Sequence, residues 1–483
     1  MKRLIVIIFI IFGAFLTFSL YRTLAYDTSV VEETPSTTDL EYTFKIGNSS
    51  IKQIKLETGE TKYFDIVLSN PNNAKISYSI YYEMVSPTTK PDGFSIGYTS
   101  KSTGTSTGKV DKNGNITLSI EVSNTSSSAV TVKIGTVAGY VNGGELTLGS
   151  GQVIIPKVPA NFVEALDDGT TGDSGSGVYA VHHDAIASSN SATGSEIPAV
   201  TDYRYYGTSP NNYICLDMEG QSTCPDRGLF RIIGSIYEEN AGKNLLKVIK
   251  ATPLTDGITS EFSWDYKSDG AYSNIWSSTT SGTSSGSSLM QLLNGIYLTR
   301  GSGSYYNGST TAQTINFSST GLTDVVQGLI NTGKGNNGLS KYYLGGYSDT
   351  SLKTDAIYLA ERGKTTSSGN ALYWDGKVGL MYPSDYGYAS GKLCSDSIPV
   401  YSYNDSCKDR NWIFNNLNQW FITSRSDLSS LAFYLNGTGT VLTFAQPLGG
   451  VAVPRSVRPT FFLTSTTTIV SGTGSIDDPY VIK

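Results

Sequence analysis

The four cysteines of this chain fall into two local pairs. Their chemistry can be inferred more directly than that of any other residue type in the chain. They are Cys215, Cys224, Cys394 and Cys407, and neither pair forms a Cys-x-x-Cys motif. In an exported chain the simplest interpretation is two disulfides, Cys215–Cys224 and Cys394–Cys407. The alternatives are a zinc site or a reactive thiol, although zinc requires histidines or a tighter cysteine spacing.

Aspartates flank both cysteine pairs and are candidate ligands for a hard cation. Calcium takes several oxygen ligands from one loop, and a disulfide could hold such a loop in place. The candidates are Asp217 and Asp226 around the first pair, and Asp396 and Asp405 around the second. The chain contains no Asp-x-Asp-x-Asp-Gly loop. Solvated carboxylates are therefore the competing interpretation, and calcium remains a candidate cofactor.

Aromatic residues are abundant in the C-terminal half, and exposed rings can stack on sugars or anchor a protein partner. Trp374-Asp375-Gly376 is typical of a turn, so we expect Trp374 to be the most exposed tryptophan. Tyr386 and Tyr388 follow in a tyrosine-rich stretch and complete the candidate binding set. The competing interpretation is that these rings belong to the core.

The chain has two histidines, His182 and His183, which are adjacent and are followed by Asp184. Neighbouring side chains on a strand point to opposite faces, so these two cannot easily share one metal ion. A serine or cysteine hydrolase would have to use one of them as its catalytic histidine. No catalytic motif stands out, and the sequence leaves open whether the protein is an enzyme.

Composition and charge limit the fold and the partners. The chain has 483 residues, which indicates two or three domains. Its 35 basic and 41 acidic side chains give a net charge of −6, so we expect no nucleic-acid partner. It is rich in Gly, Ser, Thr, Asn and Tyr and poor in Lys and Glu, a composition that favours short strands joined by turns.

The N-terminus indicates export. Lys2 and Arg3 precede an apolar run from Leu4 to Leu20, so residues 1–25 are a signal peptide or a membrane anchor. The length of the run favours an uncleaved helix in the cytoplasmic membrane, with the basic end inside. The remaining chain is then extracellular, or secreted if the segment is cleaved. Residues 26–39 have linker composition.

Residues 40–156 predict an immunoglobulin-like β-sandwich, because short strands alternate with turns throughout. Alternation of apolar and polar residues is clearest at Ile116–Ile120. The expected strands are Tyr42–Ile46, Tyr63–Ser69, Ile76–Val85, Ile116–Val122 and Val130–Val137. Residues 157–177, rich in Gly, Ser and Asp, are expected to be a linker.

Residues 178–483 predict an α+β head domain, so the whole chain is expected to be multidomain and mainly β. The domain opens with a hairpin around the first cysteine pair, in Tyr203–Gly234. Apolar residues at helical spacing predict helices over Ser288–Leu298, capped by Ser287, and over Thr320–Asn331. A third short helix is expected over Asp409–Leu417.

Several motifs of this domain occur in a recognisable order. They are Asp202–Ile214, Leu229–Gly234, Leu289–Tyr297, Gly379–Ala389, Asn411–Phe414, Val457–Leu463 and Gly472–Tyr480. Together they resemble a family of uncharacterised cell-surface proteins of Gram-positive bacteria, which implies a surface domain of unknown function. The Val457-Arg458-Pro459 strand also resembles, more remotely, C-type-lectin-like and formylglycine-generating-enzyme folds. That likeness concerns fold and implies no chemistry.

Two departures from those remote folds affect function. Formylglycine-generating enzymes need reactive, metal-binding cysteines, whereas the cysteines here are better explained as local disulfides. Many C-type lectins carry a Glu-Pro-Asn calcium loop, which this chain lacks.

The sequence supports three functions of different classes. The first is adhesion or recognition, in which the head binds a glycan or protein partner away from the membrane. The second is an extracellular enzyme acting on polysaccharide through acidic residues. The third is a surface component that assembles with copies of itself.

Overall fold

The computed structural model divides the chain into two compact units, Met1–Pro159 and Ala160–Lys483. The expected anchor, residues 1–25, lies outside the described residues. Among the residues that are described, no helix is long and apolar enough to cross a membrane. The described residues are 26–27, 43–46, 53–99, 102–140, 146–156, 162–167, 169–330, 338–403, 405–442 and 450–482.

The first unit consists of two antiparallel sheets. One has the strand order β2-β4-β8-β6, and the other has β1-β9-β5-β10 with β3 beside β9 and β7 beside β5. The five strands expected from sequence are β2, β4, β5, β8 and β9, so those predictions are confirmed. The strands are β1 Tyr26–Asp27, β2 Thr43–Ile46, β3 Gln53–Leu56, β4 Glu60–Ser69, β5 Ile76–Ser86, β6 Phe94–Tyr98, β7 Thr107–Val110, β8 Asn115–Asn124, β9 Val130–Tyr140 and β10 Gln152–Ile154.

The side chains of the two sheets share one core. Along β8, Leu118, Ile120 and Val122 are buried while the residues between them are partly exposed, as the alternation predicted. The order β2-β4-β8-β6 matches strands A, B, E and D of a constant-type immunoglobulin domain. The predicted immunoglobulin-like architecture is therefore confirmed. One departure is that β10 pairs with β5, whereas β3 occupies the free side of β9.

A matched pair of valines tests this core. Val132→Ala on β9 removes two buried methyl groups from a fully buried side chain. We expect it to lower the free energy of unfolding by about 2 kcal/mol. Val153→Ala on β10 makes the same change at a side chain that is 48% exposed. We expect that variant to unfold like the parent in a urea titration, and equal losses in both variants would contradict the described core.

The second unit contains an eight-stranded sheet, a five-stranded sheet, two two-stranded sheets and short helices. Its eight-stranded sheet has the order β11-β12-β14-β13-β27-β26, with β15 joining β14 to β25. A five-stranded sheet has the order β16-β24-β21-β22-β23, and β17-β18 and β19-β20 form hairpins. The strands are β11 Gly177–His183, β12 Val200–Tyr206, β13 Tyr213–Cys215, β14 Leu229–Glu238, β15 Lys243–Lys250, β16 Glu261–Phe262, β17 Ser302–Tyr305, β18 Gln313–Asn316, β19 Ser340–Tyr343, β20 Tyr373–Gly376, β21 Gln419–Ser424, β22 Ala432–Leu435, β23 Val441–Leu442, β24 Arg455–Ser456, β25 Thr460–Phe462, β26 Ile469–Ser471 and β27 Tyr480–Ile482.

The described helices of this unit are all short. The first predicted helix is confirmed, because Ser287 Oγ accepts the Met290 amide at 3.2 Å and caps α2, which continues as a π-helical turn over Leu293–Tyr297. The second begins later than predicted, after the cap Thr323. The helices are α1 Phe162–Ala165, α2 Ser288–Leu292, α3 Asp324–Leu329, α4 Thr354–Glu361, α5 Pro383–Ala389, α6 Lys392–Ser395 and α7 Asp405–Lys408.

The third predicted helix, Asp409–Leu417, is wrong, because this segment consists of turns and irregular chain. The side chain of Asn411 explains why. Its Oδ1 accepts the Ile413 amide at 3.0 Å, and its Nδ2 donates to the Tyr386 carbonyl at 2.6 Å. These side-chain bonds compete with a helical ladder. The helix present in this region, α7, ends before the segment begins.

Both expected disulfides are present, Cys215–Cys224 and Cys394–Cys407. Disulfides persist outside the reducing cytoplasm, so they indicate a protein that matures in an extracellular or secretory environment. Each closes a short loop within the second unit and restricts the unfolded chain.

The segments 162–167 and 169–177 pack into the second unit, which differs from the linker predicted over 157–177. Val163 is fully buried in the core of the unit. The Gly172 carbonyl accepts the Lys392 amide at 3.0 Å. Gly172 has a φ of 71°, and a Cβ placed there would lie 2.8 Å from the Tyr179 ring. The glycines that resembled a flexible linker therefore allow close packing.

Candidate functional site

An open cleft of about 460 Å³ lies where β11, β12 and β27 meet the segment before β11. Its floor consists of the buried residues Val178, Tyr205 and Tyr206. Tyr480 of β27 also lines it and is half-buried. We call this feature the tyrosine cleft. Its volume falls within the roughly 300–1,000 Å³ of small-molecule sites.

The segment 174–177 forms one wall of the tyrosine cleft and is held by its neighbours. Tyr206 Oη donates to the Ser174 carbonyl at 2.9 Å, and the Ser209 amide donates to Ser176 Oγ at 3.1 Å. Gly207 has a φ of 94°, and a Cβ on it would lie 2.3 Å from the Gly175 carbonyl oxygen. This wall is therefore shaped before any ligand arrives.

Tyr480 and a turn close to the C-terminus also line the cleft. The Tyr480 ring meets Phe162 edge-to-face with centroids 5.0 Å apart, which orients it. Thr473, exposed at the rim, donates its amide to Asp478 Oδ2 at 3.0 Å. Asn211 is also exposed at the rim.

The hydroxyl of Tyr205 is a buried polar group of the cleft. Its residue is 3% exposed, and no group of the described chain makes a hydrogen bond of normal length with Oη. Burial raises the pKa of Tyr205 well above its ordinary value, and the neighbouring Tyr480 raises it further. Tyr205 is therefore a neutral phenol that interacts with the Tyr480 phenol and can still donate a hydrogen bond to a ligand or accept one from it.

The chemistry of the lining is neutral. The described residues that line the cleft contribute no carboxylate, imidazole, amine, guanidinium or thiol. Their polar groups are phenols, aliphatic hydroxyls, one carboxamide and backbone amides. Such groups can form hydrogen bonds with a ligand.

A separate network of buried charges lies between the eight-stranded sheet and α5. Arg204 Nη2 donates to Asp202 at 2.8 Å, and its Nη1 donates to Asp385 at 2.9 Å. Lys247 Nζ donates to the other oxygen of Asp385 at 2.6 Å. Although burial opposes ionisation, Lys247 and Arg204 hold the pKa of Asp385 below its ordinary value. The network is internally compensated and shares no residue with the described lining of the cleft.

The two histidines point to opposite faces of β11, as predicted. His182 is exposed, and its Nδ1 lies 2.8 Å from Thr201 Oγ1. His183 is buried, stacks on Tyr358 at 3.7 Å and places Nε2 3.2 Å from Asp202. Burial lowers the pKa of His183, with Asp202 opposing. His183 is therefore part of the packed interior.

Glu361 at the end of α4 is fully buried. Its carboxyl accepts the Ser384 amide at 3.1 Å and the Ser384 hydroxyl at 2.5 Å. Burial is the main cause that raises the pKa of Glu361 to about 7. Arg362, 3.6 Å away, opposes that shift.

The carboxylates around the first disulfide are occupied by protein groups. Asp217 Oδ2 accepts the Thr323 hydroxyl at 2.6 Å. Asp226 accepts Lys250 Nζ at 3.1 Å. Neither forms the open set of oxygen ligands that calcium requires.

The second disulfide has the same arrangement. Asp396 pairs with Lys392, and Asp405 pairs with Lys408. Within the described ranges, no three His, Cys, Asp or Glu side chains come together in a group that could hold a metal ion. The expected calcium ligands are therefore engaged with lysines and a hydroxyl and do not converge.

The three expected binding aromatics are buried, which corrects the prediction of an exposed aromatic surface. Trp374 is 1% exposed and packs in a cluster with Trp276. Tyr386 and Tyr388 lie inside α5 and donate their hydroxyls to Gly439 and Asp355. The turn predicted at Trp374-Asp375-Gly376 does not form, because these residues belong to β20 and the Trp374 ring is buried in the core.

The aromatic residues that do line a cleft, Tyr205, Tyr206 and Tyr480, were not among the predicted site residues. A signal for them exists in the sequence. Tyr205 and Tyr206 end the tyrosine-rich stretch that opens the head, and Tyr480 ends the closing motif. The sequence does not show that β13 and β27 pair and bring these distant stretches together.

Comparison with known proteins places no family name on the chain. No family model and no curated protein matches it. A solved structure, the ASH / PapD-like domain of human CEP192 (PapD-like domain 7), is similar at 15% identity, covering 25% of this chain and 99% of that domain. Its TM-score is 0.14, so this similarity supports no conclusion about the fold or function of the chain. The sandwich architecture rests on its own strand pairing.

Removing the charge of Asp385 tests the buried network. Asp385→Asn leaves Arg204 and Lys247 buried beside a neutral amide, and we expect a loss of about 3–5 kcal/mol in the free energy of unfolding. Asp405→Asn is the control, because the Asp405 side chain is 90% exposed and its pair with Lys408 is screened by water. Equal urea midpoints for the two variants would contradict the network.

Replacing Glu361 tests the pH dependence of stability. The pKa of Glu361 is raised from 4.5 to about 7 in the folded chain, so its stabilisation is complete below pH 4.5. It is lost as the pH rises through about 7. Glu361→Gln keeps a partner for Ser384 and should flatten this decline in unfolding measured across that range. Asp385→Asn, in contrast, should alter the acid limb, and an unchanged slope in Glu361→Gln would contradict the assignment.

Proposed function

We propose that the protein is an exported recognition protein of a bacterial cell surface, whose second unit binds a glycan or protein partner. The observation that carries this proposal is the tyrosine cleft, which is open, shaped in advance and lined by neutral polar groups and aromatic rings. The first unit serves as a spacer. Residues 1–25 either anchor the chain in the cytoplasmic membrane or are removed on secretion.

The structural support of the cleft agrees with a binding role. Its walls are held by hydrogen bonds of Tyr206 and Ser209 and by the edge-to-face contact of Tyr480. A site that is ordered before binding loses less conformational freedom when the ligand arrives. The two disulfides add stability suited to an environment outside the cell.

The C-type-lectin-like description of the second unit belongs to the same proposal. It draws on the strand that follows Val457-Arg458-Pro459, where Arg458 is buried and donates to Gln419 at 2.7 Å and to the Ile413 carbonyl at 2.6 Å. This arginine links two segments of the core. This structural role explains the Val457-Arg458-Pro459 motif without a bound ligand.

Recognition is favoured over the two alternatives by particular observations. An enzyme acting on polysaccharide needs a pair of carboxyl groups beside its substrate. The described lining of the tyrosine cleft contains none, and Asp202, Asp385 and Glu361 are buried with partners of their own. Self-assembly has no comparable support, and it enters as an outcome of the test.

A binding screen tests the proposal. The full chain, purified in detergent, is applied to a glycan array, to peptidoglycan and to a surface-protein array, with calcium and with EDTA. We expect saturable binding to a glycan or protein that does not depend on calcium, because the candidate aspartates are already paired. Absence of binding together with polysaccharide cleavage would favour the enzyme. Absence of binding together with concentration-dependent oligomers in light scattering would favour the assembly component.

A further inference from the structure

We infer that the tyrosine cleft takes an uncharged, hydroxyl-rich ligand, namely a neutral sugar unit of a glycan. This inference rests on the proposed recognition function and specifies the ligand class and the residues that contact it. The candidate contacts are Tyr205, Tyr480 and Asn211, together with the backbone of 174–177, which also lines the cleft.

Charge is the first argument for this ligand class. The described lining offers no cation to an acidic sugar and no carboxylate to a basic peptide. An ionised ligand group that left water for this cleft would lose hydration without gaining a counter-charge. A neutral ligand does not incur that loss, so the lining selects against both kinds of charge.

The tyrosine rings supply the second argument. Tyr480 is half-buried, and its contact with Phe162 fixes the orientation of its ring. The C–H groups of a sugar ring form an apolar face that packs well on an aromatic ring, while the sugar hydroxyls project from its edge. The cleft combines such a ring with polar groups at its rim, which is the arrangement that a sugar requires.

Hydrogen bonding supplies the third argument. Tyr205 Oη is buried and interacts with the phenol of Tyr480, but it forms no hydrogen bond of normal length, which is unfavourable for a polar group. A sugar hydroxyl both donates and accepts, so it can satisfy the phenol in either direction. At the rim, the exposed Asn211 carboxamide and Ser174 hydroxyl offer further contacts.

Size and access agree with one sugar unit of a longer chain. The volume of about 460 Å³ is within the range of small-molecule sites. The rim residues Ser174, Asn211 and Thr473 are exposed, so a longer glycan can continue from the bound unit into solvent. A surface polysaccharide presents such internal units.

The test uses the full chain and an array that carries neutral and acidic glycans, followed by calorimetric titration with the strongest neutral oligosaccharide. Tyr205→Phe removes only the hydroxyl, and we expect Kd to rise by about 3- to 10-fold, as for one lost hydrogen bond. Tyr480→Ala removes the ring, and we expect a rise of 10-fold or more, as for an aromatic anchor.

The matched control is Tyr347→Phe, which removes the same atom from another buried tyrosine hydroxyl without a close partner, packed on Phe433 outside the cleft. We expect its Kd to equal that of the parent. Tyr272→Ala, at a tyrosine that is 40% exposed and does not line the cleft, controls for loss of a surface ring. Thermal unfolding of every variant separates loss of binding from loss of fold.

The outcomes separate this inference from the proposed function. Binding to neutral glycans that weakens in both cleft variants supports it. If a neutral glycan binds the two cleft variants and the parent equally, the cleft is not the site, although recognition stands. If the hits are acidic glycans, the ligand class is wrong and recognition again stands. If nothing binds on the glycan array, the inference fails, and binding to the surface-protein array of the screen above decides whether the proposed function fails as well.

Discussion

The arrangement of the second unit depends most on the hydrogen bonds and ion pairs that the Asp385 carboxylate accepts. This carboxylate joins three elements, because it accepts Arg204 from β12, Lys247 from β15 and the Tyr382 amide at the start of α5. In a buried, low-dielectric setting each of these groups requires the others, since an unpaired charge there is costly. The carboxylate therefore fixes α5 against the sheet and fixes both strands beneath it.

The same network positions the tyrosine cleft, although it shares no described residue with its lining. Successive side chains of a strand point to opposite faces, so the orientation of Arg204 towards Asp385 determines the orientation of Tyr205. The Trp412 indole donates to the Tyr205 carbonyl at 2.9 Å and fixes the backbone at that residue. The buried ion pair of Arg204 and Asp385 thus determines the orientation of Tyr205 in the floor of the tyrosine cleft. Core packing is in this way linked to the proposed recognition.

The features that the sequence predicted correctly depend on neighbours along the chain. The Ser287 cap involves an amide three residues away, the two histidines follow the two-residue period of a strand, and each disulfide joins nearby cysteines. Such signals are contained within a short window. The strands of the sandwich were predictable for the same reason, because apolar alternation at residues such as Leu118 depends on which side of one sheet faces the core.

The features that were missed depend on residues far apart. Arg204 and Asp385 are separated by 181 positions, and no local pattern indicates that they meet. Trp374 lies in a sequence typical of a turn, but its ring joins a tryptophan cluster assembled from several segments. The Gly- and Ser-rich segment before β11 has the composition of a linker, yet its glycines permit close contact with Tyr179 and Tyr206. Composition alone does not distinguish flexibility from close packing.

The distribution of charge connects the interior with the surface. Charged residues make up 16% of the chain, compared with about 25% in an average soluble domain. Several of these scarce charges, including Asp202, Arg204 and Lys247, are buried and paired with one another. The cleft, in contrast, presents phenols, hydroxyls and amides. Salt screens exposed charges and has little effect on neutral hydrogen bonds and ring contacts. The proposed recognition site should therefore keep its affinity when the ionic strength changes, which a site built on surface ion pairs would not.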